Sequence, residues 1–309
     1  MAAKRVLITG AGGMVGRNLC EHAASNSFIL LTPNRLELNL LDKHAVEIYM
    51  GQKCPDIVIH AAGCVGGIQA NIREPARFLI ENLDMGRNLV MAAKQAGITK
   101  VLNLGSSCMY PRNASNPLSE GMILQGELEP TNEGYALAKI AIARLCEYIS
   151  RESSDFLYKT LIPCNLYGRH DKFDPKHSHM LAGIIQKLHE AKVNRASHVD
   201  IWGDGNTRRE CMYAGDLAEC IWRCAQNLSS LPSLTNVGIG TDLSVREYYH
   251  QVAAVVGYEG GFKHDLSKPT GMKQKLICTD KATSWGWEAQ TTLREGLEKT
   301  YDFYLKEIE

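Results

Sequence analysis

Three polar side chains in the first half of the chain are suited to reducing a carbonyl. Tyr135 and Lys139 stand four apart in Tyr-Ala-Leu-Ala-Lys, which places them on one face of a helix. Ser106 follows an apolar run, Val101-Leu-Asn-Leu-Gly105, that reads as a buried strand. A serine hydroxyl donates to a carbonyl oxygen, and a tyrosine supplies the proton. A phenol titrates near 10 and is a poor acid–base group at neutral pH. A neighbouring ammonium lowers that value, and Lys139 is expected to do so. Tyr-x-x-x-Lys alone is a common spacing. Its weight comes from following the strand end that carries Ser106, because strand ends of that kind form the crevice of doubly wound sheets.

A second constellation lies at the start of the chain. Thr9-Gly10-Ala-Gly12-Gly13-Met-Val-Gly16 follows one apolar strand and opens one helix. The glycines at 10, 13 and 16 give G-x-x-G-x-x-G; the stricter G-x-G-x-x-G would need glycine where Val15 stands. Gly10 permits the turn, Gly13 lets backbone N–H groups approach a pyrophosphate, and Gly16 lets helix and strand pack closely. A dinucleotide is therefore the expected cofactor. An NAD form usually carries a carboxylate at the end of the second strand. Here that strand ends Thr32-Pro33-Asn34-Arg35. Arg35 suits a 2′-phosphate, so NADP(H) is expected.

The elements that must hold these residues alternate. Strands are expected at 5–9, 28–32, 56–62, 100–105 and 158–163, with helices at 14–25, 42–51, 75–96 and 131–150. That rhythm, with continuously apolar strands, reads as α/β: a doubly wound parallel sheet covered on both faces. After about Leu166 the rhythm breaks. Helices near 178–192 and 215–228, with short strands at 199–202 and 235–238, suggest a smaller domain. The expected division is 1–165 for dinucleotide binding and 166–309 mainly for substrate, some segments returning to the first part.

The 309 residues are 45% hydrophobic and 22% charged, an ordinary globular balance that excludes disorder as the main character. Lys+Arg equals Asp+Glu at 34 each, so no overall basic field invites nucleic acid or an acidic membrane. No apolar run approaches the roughly 18 residues of a membrane helix. The first apolar stretch is too short for a signal peptide, so a cytoplasmic location is expected. The ten cysteines are scattered, with no Cys-x-x-Cys. Free thiols in a reducing compartment, and no metal, are the expectation.

With these motifs in place, the chain resembles the GDP-L-fucose synthase family of extended short-chain dehydrogenase/reductases, which includes the GDP-L-colitose synthases. The matching stretches are Val65-Gly-Gly-Ile-Gln-Ala-Asn71, Gly105-Ser-Ser-Cys-Met-Tyr-Pro111, Glu129-Pro-Thr-Asn-Glu-Gly-Tyr-Ala-Leu-Ala-Lys139, Pro163-Cys-Asn-Leu-Tyr-Gly168 and Ser178-His179, with Trp202-Gly203, Arg209-Glu210 and Asn236-Val-Gly-Ile-Gly240 beyond. The resemblance implies a Rossmann fold and an NADPH-dependent epimerase and 4-reductase acting on a GDP-4-keto-6-deoxy-hexose, with GDP-L-fucose formation favoured. The alternatives are a colitose-type 5-epimerase/4-reductase and a reductase that does not epimerise. It also implies a homodimer formed through the long helices near 80–96 and 135–150.

Residue by residue, the resemblance puts reduction on Ser106, Tyr135 and Lys139, and epimerisation on Cys108 and His179. It extends the cofactor site to Met14, Val15, Asn39, Leu40, Ala61 and Ala62. It extends the sugar-nucleotide site to Ser107, Asn165, Lys187, Trp202 and Arg209. The chain departs from the family at Gly12, where a basic residue is common, and at Cys164, Arg169 and Ala214-Gly215. The physical case for the epimerising pair is independent. A C4 ketone acidifies the protons at C3 and C5, and inversion needs removal on one face and delivery on the other. A thiol near 8.5 and an imidazole near 6.5 bracket neutral pH. His177 competes with His179 by proximity in sequence.

Overall fold

The computed structural model describes residues 3–174, 178–268 and 271–308. Six parallel strands form the central sheet: β1 (Lys4–Thr9), β2 (Phe28–Leu31), β3 (Ile57–His60), β4 (Lys100–Leu104), β5 (Leu157–Pro163) and β6 (Leu234–Val237). Their order is 6-5-4-3-1-2. The chain leaves β1 to one side for β2 and then crosses to the other for β3. The strand order therefore reverses between β1 and β3, the place where open α/β sheets bind ligands.

Alternate residues of the strands bury on opposite faces, as a pleat requires. Val6, Ile8, Ile57, Ile59, Leu102 and Leu104 join one core with Leu19 of α1 (Met14–Glu21). Leu7, Val58 and Val101 join another with Val46 and Met50 of α2 (Lys43–Lys53) and Leu89 of α3 (Pro75–Gln95). Ile142 and Cys146 of α4 (Glu133–Glu152) complete that second face. The local signals act as expected. The Asp42 carboxylate caps α2 through Ala45 N–H at 3.1 Å, and Gly97, with φ +71°, ends the turn after α3.

Beyond β5 the chain builds α5 (Met180–Val193), α6 (Ala214–Gln226), α7 (Val245–Val256) and α8 (Leu293–Ile308). A separate core unites Leu181, Ile185 and Leu188 of α5 with Tyr248 and Val252 of α7 and Tyr301 of α8. Helix α6 behaves differently and packs on α1. Trp222 stacks on Phe28 at 4.9 Å and its indole N–H donates to the Leu19 carbonyl at 3.0 Å.

Two sequence expectations are corrected. The strand at 235–238 is not part of the smaller domain. As β6 it pairs with β5 and extends the main sheet, where Thr235, Asn236 and Val237 are all buried. Its buried Asn236 is fully satisfied: the side chain accepts from the Tyr110 hydroxyl at 2.6 Å and donates to the Leu118 and Cys278 carbonyls. The first helix ends at Glu21 rather than 25, and Ala23–Ser27 forms a 3-10 turn. All ten cysteines are free, and no helix among the described residues is long and apolar enough to cross a membrane.

Glu210 joins the two parts of the molecule. It is 0% exposed. Its Oε1 accepts Ile239 and Gly240 N–H at 2.7 and 2.8 Å, and its Oε2 accepts Ile277 N–H at 2.9 Å. Glu210→Ala removes the acceptor of three backbone donors, of which the buried Ile277 N–H, left unpaired, costs about 1–3 kcal/mol. Glu210→Gln keeps the bonds to 239 and 240 but turns a donor toward Ile277. The expected order of denaturation midpoints is wild type, then Gln, then Ala. Equal midpoints for wild type and Ala would show that the clamp carries no stability.

Candidate active site

The sheet's switch point carries the glycine turn. Gly10 has φ +72°, and a Cβ there would lie 2.7 Å from the Ala62 backbone and 2.9 Å from Ala61. A Cβ at Gly16 would sit 2.2 Å from the Gly10 carbonyl oxygen, so only glycine lets α1 press against the turn. Gly13 is the N-cap of α1, with no side chain occupying the helix end, and Met14 and Val15 form the first turn. Gly12 faces open space. The backbone amides at this helix start are thus accessible to an anion, and the helix dipole favours one there.

After β2 the chain makes an exposed turn that carries Arg35 and Asn39, while Leu40 is buried and its carbonyl is held by Asn88. The sequence showed no carboxylate at the strand end itself. The turn nevertheless contains one, Glu37, whose Oε2 accepts Asn34 N–H at 2.8 Å. Arg35 shares its turn with an acid already tied to the backbone.

At the end of β4 the residues expected to reduce a carbonyl come together. The Ser106 hydroxyl accepts Cys108 N–H at 3.2 Å and stands close enough to Tyr135 to act on its phenol. Buried Lys139 donates from Nζ to the Leu104 carbonyl at 2.9 Å and lies 5.7 Å from the centre of the Tyr135 ring. Among the protein's own influences on the phenol, burial, Cys108 and Ser106 are foremost. Burial is the larger effect and pushes Tyr135 well above its ordinary range; Cys108 nearby adds to this and Ser106 opposes it. Burial also pulls Lys139 down, to about 8. Behind them His60 bonds Thr9 Oγ1 at 2.9 Å, and burial, with Lys139 beside it, lowers it to about 3. It is therefore neutral at neutral pH.

Cys108 is partly buried and held from two sides. Asn132 Nδ2 lies 3.1 Å from its sulfur and Lys275 Nζ 3.5 Å. Arg209 is close enough to act on it electrostatically. His179 is the N-cap of α5 but makes no capping bond; its Nδ1 lies 2.8 Å from Asp171 Oδ1. Burial lowers the imidazole, but the Asp171 carboxylate outweighs this and the net shift is upward. His177 lies outside the described residues.

The remaining candidates are held by other partners. Asn165 donates its amide to the Glu210 carbonyl at 2.8 Å, next to Arg209. Trp202 is half exposed, with Lys268 Nζ 5.9 Å from its ring centre. Lys187 donates to the Asp200 carbonyl, and burial lowers its ammonium. Ser107 is buried and presents little surface to a ligand. The sequence reading missed Asp171, Asn132, Lys275 and Glu210. Asn132 stood inside a quoted motif, whereas Lys275 is 167 residues from Cys108, a separation no spacing rule reaches.

A family profile, that of the NAD dependent epimerase/dehydratase family, matches residues 6–240. The GDP-L-colitose synthase of Yersinia pseudotuberculosis is 51% identical over 303 residues, 98% of either chain. The GDP-L-fucose synthase of Azorhizobium caulinodans is 47% identical, over 98% of this chain and 96% of that one. Among solved structures, a GDP-mannoheptose C4 reductase from Campylobacter jejuni with NADP bound superposes with a TM-score of 0.89 at 30% identity, covering 99% of both chains. Glycine turn, parallel sheet and sequence likeness agree: the chain belongs to the NAD dependent epimerase/dehydratase family.

Proposed function

We propose that this protein is a GDP-4-keto-6-deoxy-hexose epimerase and 4-reductase that uses NADPH and yields a GDP-6-deoxy-L-sugar. The observation that carries the reading is the Ser106–Tyr135–Lys139 set beside the Cys108 thiol, at the strand ends facing the glycine turn. Residues 1–165, joined by the returning segment 214–240, hold the dinucleotide; the remainder holds the GDP-sugar. Gly10, Gly13 and the start of α1 cradle the pyrophosphate, and Arg35 meets the 2′-phosphate. NADPH supplies the hydride for C4. Ser106 and Tyr135 donate to the C4 oxygen, and Tyr135 gives up its proton there. Cys108 and His179 move the protons at the inverted centres, with Asn165, Lys187, Trp202 and Arg209 around the nucleotide.

The fucose route is one reading of the substrate. The colitose route is a second, supported by the higher identity to the colitose synthase than to the fucose synthase. There C3 bears no hydroxyl and only C5 needs inverting. Incubation with GDP-4-keto-6-deoxy-mannose and with its 3-deoxy analogue, followed by NMR of the products, distinguishes them. A homodimer through α3 and α4 is supported by exposed Ile80, Leu137 and Tyr148 on those helices, and a reducing, cytoplasmic setting by the free cysteines.

Arg35→Ala should weaken NADPH binding tenfold or more and leave NADH nearly unchanged, because a charge-assisted contact contributes about 1.5–3 kcal/mol. Equal wild-type use of both cofactors would refute that role. Tyr135→Phe should fold and bind NADPH normally while losing turnover by on the order of 10² or more. A variant keeping a tenth of wild-type turnover would make the tyrosine structural. Cys108→Ser should impair epimerisation far more than hydride transfer, since a hydroxyl is a much weaker acid than a thiol. In deuterated water the wild type should take up deuterium at C5, and also at C3 where that carbon bears a hydroxyl and is inverted. Absence of label at C5 would leave a non-epimerising reductase as the better reading.

A further inference from the structure

We propose that Asp171 is the positioning residue for His179: its carboxylate accepts the ring's Nδ1–H, which fixes the tautomer and leaves Nε2 to exchange protons with the sugar. This rests on the epimerising role given to His179 above. The Nδ1–Oδ1 distance is 2.8 Å. The Asp171 side chain is 1% exposed and that of His179 is 42% exposed, so a dry carboxylate stands behind a ring whose other edge is open.

Two further observations point the same way. His179 occupies the N-cap of α5, where a ring nitrogen could accept from the helix, yet it makes no capping bond. Asp171 is also under-bonded for a buried carboxylate. Its Oδ1 accepts Lys172 N–H at 2.8 Å, but Oδ2 is buried with no hydrogen-bond partner among the described residues. Burying a carboxylate oxygen without a donor is costly, and a cation in contact offsets part of that cost. A ring that gains a proton beside Asp171 supplies such a cation.

Among the described residues, the charged groups acting on the ring are Asp171 and Lys172. Burial and Lys172 favour the neutral imidazole; Asp171 favours the charged one and prevails. The wild-type pH limb set by this imidazole should therefore lie above the ordinary 6.5. With the carboxylate removed, only the lowering influences remain, and the limb should fall below that value.

The test compares wild type, Asp171→Asn, Asp171→Glu and His179→Gln. Nitrogen-15 NMR of histidine-labelled apoprotein reads the tautomer, and solvent-deuterium uptake at C5 is followed against pH. The wild-type neutral ring should carry its proton on Nδ1. Asp171→Asn should slow exchange by on the order of 100-fold and move the limb downward, with NADPH affinity and unfolding midpoint near wild type. Asp171→Glu should restore part of both. A slower rate at every pH with an unmoved limb would make Asp171 merely a loop fastener and overturn the proposal. So would wild-type exchange in Asp171→Asn while His179→Gln has lost it. If Asp171→Asn does not fold, a proton on Nε2 in the wild type would still overturn it. Exchange retained by His179→Gln would instead refute the epimerising role itself.

Discussion

One fully buried carboxylate decides where the second lobe meets the sheet. Both Glu210 oxygens accept backbone N–H groups, from 239–240 on one side and 277 on the other. Its own N–H reaches the Lys275 carbonyl at 3.2 Å, and its carbonyl takes the Asn165 amide. Burial raises the carboxyl, and the three N–H groups pull the other way. The packing leaves no slack: a Cβ at Gly238 would lie 2.2 Å from Oε1. Arg209 precedes this residue and Lys275 lies two before Ile277, so both cations that bear on Cys108 are placed by one buried carboxylate.

Burial then sorts the titratable groups of the cleft. Tyr135 is held protonated, Lys139 is brought down to about 8, and His60 is kept neutral. His179 alone among these stands against a carboxylate and is shifted toward its charged form. The difference follows from partners: Lys139 is given a neutral carbonyl and His60 a hydroxyl, whereas His179 is given Asp171. In a low-dielectric site an opposite charge in contact outweighs desolvation, and a neutral acceptor does not.

What the sequence disclosed follows the range of each interaction. The glycine turn, the Tyr135–Lys139 pair and strands β1 to β5 are local patterns with a fixed period, and they were legible. β6 was read as a strand of the smaller domain because Thr235 and Asn236 break the apolar run, and two of the Asn236 partners, Leu118 and Tyr110, are more than a hundred residues away. Spacing reveals the nearby ammonium but not the burial that raises the Tyr135 phenol. Lys275 and Asp171 carried no signal, since each matters only through the residue it meets in space.

The two halves of the proposed chemistry therefore rest on different kinds of structure. Ser106 ends one strand, Tyr135 and Lys139 share one helix, and Lys139 is tied to that same strand through Leu104. This set is complete without the second lobe. Cys108 is not: its contact with Lys275 exists only while that lobe is seated. The chemistry imposes an order on the same groups. Protons at C3 and C5 are acidic only while C4 is a ketone, so inversion has to precede reduction. The pair that must act first thus depends on the lobe that would hold the GDP-sugar. The set that acts last is built into the sheet and needs no assembly.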